Sequence, residues 1–228
     1  MGMKIVVVLS GGLDSTVVLY DAVAGNSTEA VKAISFNYGQ RHVRELVSAA
    51  AIADRLGVEH KIADITSLSD LLGASSLVNS TMEIPEGNYT DESMKSTVVP
   101  NRNMILLSIA AAWAISEKFD AVVYGAHAGD HTIYPDCRDE FVESFARTLK
   151  LADWHQVEVL RPFVKRTKGD IVRRGAELGV PFELSWSCYK GGEFHCGVCG
   201  TCVERREAFA EAGIDDPITY LEPWRTHL

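Results

Sequence analysis

The chain has 228 residues, a length that suits one α/β domain with an appendage or two small domains. It is 46% hydrophobic and 23% charged, an ordinary globular balance with enough apolar material for a real core. The formal charge of −9 argues against a wide electrostatic grip on a nucleic-acid backbone, which needs clustered Lys and Arg.

The apolar run Ile5–Leu9 is too short for a signal-peptide core or a membrane span, and Gly11-Gly12 soon end it. Val6 stands where a myristoylation signal needs Ser or Thr, so a cytoplasmic protein without a membrane anchor is expected.

Lys4–Leu9 is a β-branched run of the kind buried on both faces of a parallel sheet. A helix is expected over Asp14–Ala24, stopped by Gly25-Asn26. Val31–Asn37 reads as a strand. Gln40–Leu56 reads as an amphipathic helix, with Val43, Leu46, Val47 and Ala50 on its core face and Gly57 as its stop. Val58–Asp64 is a third strand. Thr66–Pro100 breaks the pattern: it is rich in Ser, Thr, Asn and Gly, and a connection this long is either a functional lid or a partly ordered loop. Beyond it come a helix over Asn101–Lys118, a strand at Asp120–Tyr124, and a polar loop Gly125–Asp136. A helix at Arg138–Ala152, a strand at Val157–Leu160 and a helix at Thr167–Leu178 complete the alternation. Five strands alternating with helices imply a Rossmann-like, doubly wound parallel sheet, with ligands beyond the carboxyl ends of its strands. Residues 1–184 are expected to form a nucleotide-binding α/β domain, and 185–228 a small C-terminal zinc-binding segment.

Ser10-Gly11-Gly12-Leu13-Asp14-Ser15-Thr16 joins the first strand to the first helix. Glycines let the backbone bend and approach a ligand closely, and the free N–H groups of a helix's first turn suit an anion. Ser10, Ser15 and Thr16 add hydroxyl donors. The Gly-Lys-[Ser/Thr] ending of a Walker loop is missing. Asp14 serves either the helix dipole or a Mg²⁺ ion that travels with phosphates.

Four of the five cysteines crowd into one stretch, as Cys188, Cys196, Cys199 and Cys202. Four thiolates make a closed tetrahedral zinc site; an iron–sulfur cluster is the alternative that also takes four. His195 adjoins Cys196, but four cysteines leave it no vacancy. Cys137 stands apart.

Three further polar segments lie where strands end or helices begin. Phe36–His42 follows the second strand. Val99–Asn103 opens a helix, with Asn101 as a natural N-cap and Arg102 either solvated or gripping a phosphate. Gly125–Arg138 gathers two His, two Asp, a Tyr, a Cys and an Arg. Lys165 and Lys168 follow the last strand, either solvated or on phosphate.

The glycine-rich string resembles the pyrophosphate loop of the adenine-nucleotide α-hydrolase, or ATP pyrophosphatase, superfamily, whose members cleave ATP between its α and β phosphates. Phe36–His42, Val99–Asn103, Tyr134-Pro135-Asp136-Cys137-Arg138 and the four-cysteine spacing narrow the resemblance to the 7-cyano-7-deazaguanine synthase family of the queuosine pathway. That resemblance implies conversion of 7-carboxy-7-deazaguanine and ammonia to the nitrile with ATP, through adenylated acid and amide. It also implies zinc, Mg²⁺ with ATP, and a homodimer. ATP is expected on Leu9 to Thr16, with its adenine near Phe36 and Tyr38. Asp14, Arg102, Asp130, Asp136, Arg138 and Lys165 are the expected catalytic set. Asp136, stiffened by Pro135, is expected to accept the N1–H and exocyclic amine of the guanine edge, with Arg138 near the carboxylate or a phosphate. Asp130 is the other carboxylate of that loop, for Mg²⁺ or a turn. Two rivals stand beside this reading. A tRNA-modifying relative, a thiolase or a lysidine synthetase type, needs a basic face; a silent nucleotide-binding zinc scaffold needs no reaction at all.

Overall fold

The β-branched residues Val6 and Val7 are both fully buried and point to opposite faces of the sheet, as a central parallel strand requires. They belong to β1 (Ile5–Val8), which pairs in parallel with β2 (Val31–Asn37) and β4 (Ala121–Tyr124). β3 (Glu59–Asp64) and β5 (Glu158–Leu160) form the edges, in the order β3-β2-β1-β4-β5. This computed structural model describes residues 2–72, 75–79, 81–87, 95–129 and 134–222.

Six α-helices among the described residues cover the two faces. α1 (Leu13–Gly25), α2 (Arg44–Leu56), α5 (Lys168–Glu177) and α6 (Gly200–Ala212) enclose a core around Val7, Val17, Ile52, Ile171 and Phe209. α3 (Arg102–Glu117) and α4 (Asp139–Ala152) cover the other face, around Val6, Ile34, Leu107 and Phe145. The chain winds one way from β1 to β3, then returns to add β4 on the other side of β1. That reversal opens a crevice beyond the carboxyl ends of β1 and β4. None of the described helices is long and apolar enough to cross a membrane.

The expected elements are present, with ends shifted by a few residues, most at the start of α2. α2 corrects one expectation. It begins at Arg44, and its core face is Leu46, Ala49, Ile52 and Ala53. Val43 and Val47 are 57% and 67% exposed. The small Ala49 faces inward because α2 packs backbone-close: a Cβ at Gly11 would lie 2.0 Å from Glu45 O and 2.9 Å from Ala49 N. Asn101 does sit at the N-cap of α3, but left-handed (φ 55°) and with no side-chain capping bond. Thr167, by contrast, closes a full capping box with Asp170 on α5.

Described parts of the long connection are packed down. Leu77 is buried and its carbonyl accepts from Arg41 N at 2.9 Å; Met82 O accepts from Arg41 Nη1 at 2.8 Å. Gly87 N donates to Val198 O at 2.8 Å, beside the cysteine cluster. The C-terminal segment shares the main core. Phe209 meets Phe182 edge-on at 5.0 Å. Fully buried Arg205 donates to Asp216 Oδ2 (2.9 Å) and Oδ1 (3.0 Å), Ser185 Oγ (2.7 Å) and Phe182 O (3.0 Å), so its charge is paired and hydrogen-bonded.

Candidate active site

At the crevice the glycine-rich turn is held by its own hydroxyls. Ser10 Oγ and Ser15 Oγ share a hydrogen bond of 3.0 Å, and Thr16 Oγ1 donates to Gly12 O at 2.7 Å. Thr16 and Gly11 shape the turn from behind; Leu9, Ser10, Gly12, Leu13, Asp14 and Ser15 line a cleft of about 270 Å³. Gly11 adopts φ 83°, which glycine alone adopts freely. No side chain caps α1 at Gly12, so the positive end of the helix is left for an anion. The end of β4 passes close by: a Cβ at Gly125 would lie 3.1 Å from Ser15 N.

Charged groups from four elements converge on this turn. Lys168 Nζ, on the first residue of α5, lies 2.6 Å from Glu204 Oε2 and 3.4 Å from Asp14 Oδ2. Glu204 Oε1 is 3.8 Å from His127 Nε2. Asp14 Oδ1 is buried without a hydrogen-bond partner among the described residues, a state that proteins rarely leave unanswered. α6 supplies Glu204 and Thr201 to the lining from the far end of the sequence.

Aromatic residues complete the lining, among them Phe36, Tyr38, Tyr124, Tyr134, Trp186 and Tyr189. Burial pushes the Tyr38 phenol up to about 12, reinforced by Glu45 and opposed by its hydrogen bond to Arg102. Glu45 also lines the cleft; burial raises its carboxyl to about 7, against the lowering pull of Gln40 and Arg102.

The expected catalytic residues therefore divide. Asp14 and Arg102 line the cleft. Asp136 stands beside it, not among its lining; its Oδ2 accepts from Asn103 N at 3.1 Å and so serves the first turn of α3. Its charge also acts on Arg102, which lines the cleft. Arg138 is exposed at the N-cap of α4, and Lys165 is exposed on the turn before α5. Asp130 lies outside the described residues. His127, one of the two histidines of the polar loop, does line the cleft, whereas nothing in the sequence alone marks Glu45, Trp186, Thr201 and Glu204 as members of it, and Lys168 was open between solvent and phosphate. A capping-box Thr immediately before Lys168 was the one local signal that its side chain starts a helix at a strand end.

The four clustered cysteines are all buried, and their sulfurs lie within 4.8 Å of one another. One tetrahedral zinc with sulfurs at about 2.3 Å sets them about 3.8 Å apart. The Cys196–Cys202 separation is 3.9 Å. An iron–sulfur cluster shares its thiolates among several irons and needs wider spacing for some pairs. Backbone N–H groups of Val198 and Cys199 donate to Cys196 Sγ at 3.4 and 3.3 Å, support that suits thiolates. His195 is no ligand: its Nε2 accepts from Ser187 N at 3.1 Å, and burial, aided by Arg205, lowers it to about 4. The stretch before the cluster reaches the turn directly, through Trp186 N to Gly11 O at 2.9 Å.

The family described as queuosine biosynthesis protein QueC matches residues 4–213. The chain belongs to the QueC family. A 7-cyano-7-deazaguanine synthase from Caldicellulosiruptor saccharolyticus is 55% identical over 218 residues, 96% of each chain. Another, from Allorhizobium ampelinum, is 52% identical over 223 residues, 97% of this chain and 94% of its own. Among solved structures, the U34-tRNA thiolase NcsA from Methanococcus maripaludis, with its 4Fe-4S cluster, superimposes with a TM-score of 0.52 at 20% identity. It covers 96% of this chain and 75% of its own. NMN synthetase from Francisella tularensis gives 0.51 at 17% identity, covering 80% and 64%. At these identities the likeness concerns the fold alone.

Proposed function

We propose that the chain makes 7-cyano-7-deazaguanine from 7-carboxy-7-deazaguanine and ammonia, at the expense of ATP. The observation that carries this is the near-full-length identity to synthases of that name, 55% over 96% of both chains. In this reading the substrate carboxylate attacks the α-phosphorus of ATP and pyrophosphate leaves. Ammonia displaces AMP from the acyl-adenylate to give the amide and a proton. A second ATP adenylates the amide oxygen, which leaves as AMP while two protons depart from nitrogen and the nitrile forms. A carboxylate oxygen is a poor leaving group, and adenylation makes it a good one.

The chain's own part is positioning and electrostatics. The uncapped start of α1 and the Gly12 to Ser15 backbone receive the phosphates, and Phe36 and Tyr38 offer a face to the adenine. Lys168 sits beside Asp14 to meet the charge that develops on pyrophosphate. Mg²⁺ entering with ATP would be held by Asp14, whose Oδ1 has no other partner among the described residues, and would neutralise phosphate charge there. Zinc is the metal that the four close cysteines favour, in a structural role, since no cysteine position stays open for substrate. A cytoplasmic homodimer is the assembly that the family resemblance supports, and sedimentation of the pure protein checks it. Incubation with ATP, ammonium and the acid, followed by product mass and nucleotide analysis, tests the reaction. Nitrile with AMP and pyrophosphate is expected; ADP and phosphate as the only nucleotide products would refute it.

A further inference from the structure

Glu45 is a carboxylate set inside a cleft with little of its own to bind. Gln40 Nε2 donates to its Oε1 at 3.0 Å. Gln40 is itself used up: its Nε2 also donates to Phe36 O at 3.0 Å, and its Oε1 accepts from Tyr38 N at 2.9 Å. The glutamine therefore fixes where Glu45 points and can offer it nothing more. A carboxylate has about four acceptor positions, and burying it with one hydrogen bond is unfavourable unless something arrives to fill the rest. Arg102 lines the same cleft, near enough to act on Glu45 electrostatically, and Tyr38 interacts with both. The cleft thus has an acceptor pole and a donor pole, with phenol faces between them.

We propose that Glu45 and Arg102 read the two ends of the deazaguanine acid: Glu45 accepts the N1–H and exocyclic amine of the guanine edge, and Arg102 forks onto the 7-carboxylate. This assignment rests on the reaction proposed above and names its specificity-determining residues. Adjacent N–H donors match the two oxygens of an ionised carboxylate, and a planar guanidinium matches a second carboxylate at the other end. Adenine presents one donor beside one acceptor on the equivalent edge, so an ionised Glu45 rejects it. The pair thereby tells apart two bases that share one cleft. Tyr134 and Tyr189 supply flat faces for stacking.

The test measures binding to the full-length, metal-loaded protein by calorimetry, without turnover. The probes are 7-carboxy-7-deazaguanine, its analogue lacking the exocyclic amine, and ATP, each alone. The natural protein is expected to prefer the amine-bearing acid by about 100-fold or more, because the analogue leaves a buried acceptor unpaired. Glu45→Gln turns one acceptor into a donor facing a donor. It is expected to lose at least about tenfold in affinity for the acid and most of the preference, while ATP affinity stays within about threefold. Retained ATP binding shows that this variant is folded. Glu45→Asp, which keeps the charge, is expected to keep part of the preference. An unchanged preference in Glu45→Gln, or a loss that falls on ATP instead, overturns the assignment. If the natural protein turns over the acid but shows no preference for the amine, this assignment alone is wrong. If it neither binds nor converts the acid, the proposed reaction falls, and the assignment with it.

Discussion

Asp14 presents one carboxylate oxygen to Lys168 and leaves the other buried without a partner among the described residues. Removing such a group relieves an unsatisfied acceptor, so its loss harms function more than folding. Asp14→Ala is expected to lower AMP release by about 100-fold or more while the melting temperature holds. Steady-state kinetics and a thermal melt check this, and turnover near the natural rate would remove Asp14 from the chemistry. Glu45 shows the opposite balance. Its carboxyl is raised from 4.5 to about 7, chiefly by burial, with Gln40 and Arg102 lowering it in part. A raised folded-state value means that ionisation is harder in the native protein than in the unfolded chain, and above about pH 7 the native carboxylate is ionised. The associated stability is present below pH 4.5 and is lost as pH rises through about 7. Glu45→Gln imitates the neutral acid. Its melting temperature should exceed that of the natural protein at pH 8 and match it at about pH 4, below the unfolded-state value, at roughly 3 °C for each kcal/mol. An equal difference at both pH values would show that Glu45 titrates alike in the folded and unfolded chain.

At the scale of elements, the glycine-rich turn and α2 are one assembly. Gly11 and Gly57 both have positive φ, 83° and 67°, but only Gly11 has backbone within 3 Å of where a Cβ would stand. Gly57→Ala meets nothing within 4 Å and should lose only the stability of a strained left-handed residue, about 1 kcal/mol. Gly11→Ala must push α2 off the turn, so ATP affinity should fall along with stability. Parallel melts and ATP titrations separate the two variants; equal ATP affinity in both would show that the contact with α2 does not shape the turn. Much of this assembly was legible. The β-branched run of β1, the stop at Gly57 and the alternation of strands with helices fix the sheet, because parallel strands buried on both faces leave no other pattern. The face of α2 was not legible. Val43 and Val47 look like core at helical spacing, but the backbone of Glu45 and Ala49 comes close to Gly11, and such a contact selects a small residue at Ala49. Glu45 was missed for a related reason. An acidic residue in a helix's first turn reads as a dipole partner, and nothing local reveals that a cleft closes over it. One oxygen of Asp136 is engaged by Asn103 N at 3.1 Å, a tertiary contact that its neighbours in sequence do not reveal. Lys168 and Glu204 are 36 positions apart, so their contact belongs to the tertiary structure alone.

At the scale of the whole molecule, the cysteine cluster and the glycine-rich turn are mechanically continuous. Trp186 N–H holds Gly11 O, and α6, which begins beside Cys199, carries Glu204 to Lys168. Metal bound by the four sulfurs would contribute folding free energy to this whole corner. Cys196→Ser should therefore lower metal content, melting temperature and ATP affinity together; metal loss with ATP affinity unchanged would confine the cluster to its own loop.

The same hydrogen bond from Trp186 to Gly11 has a reciprocal consequence. Two ligands that favour one conformation of a shared element must each tighten the other by the same factor. A nucleotide seated on the turn then acts as a retention device for an ion it never touches. More chelator should be needed to draw half of the metal from the ATP-saturated protein than from the free protein, with the difference following ATP occupancy and vanishing in Gly11→Ala. Equilibrium competition read with a metal-sensitive dye measures this, and a midpoint indifferent to ATP would mean that the two sites are not coupled.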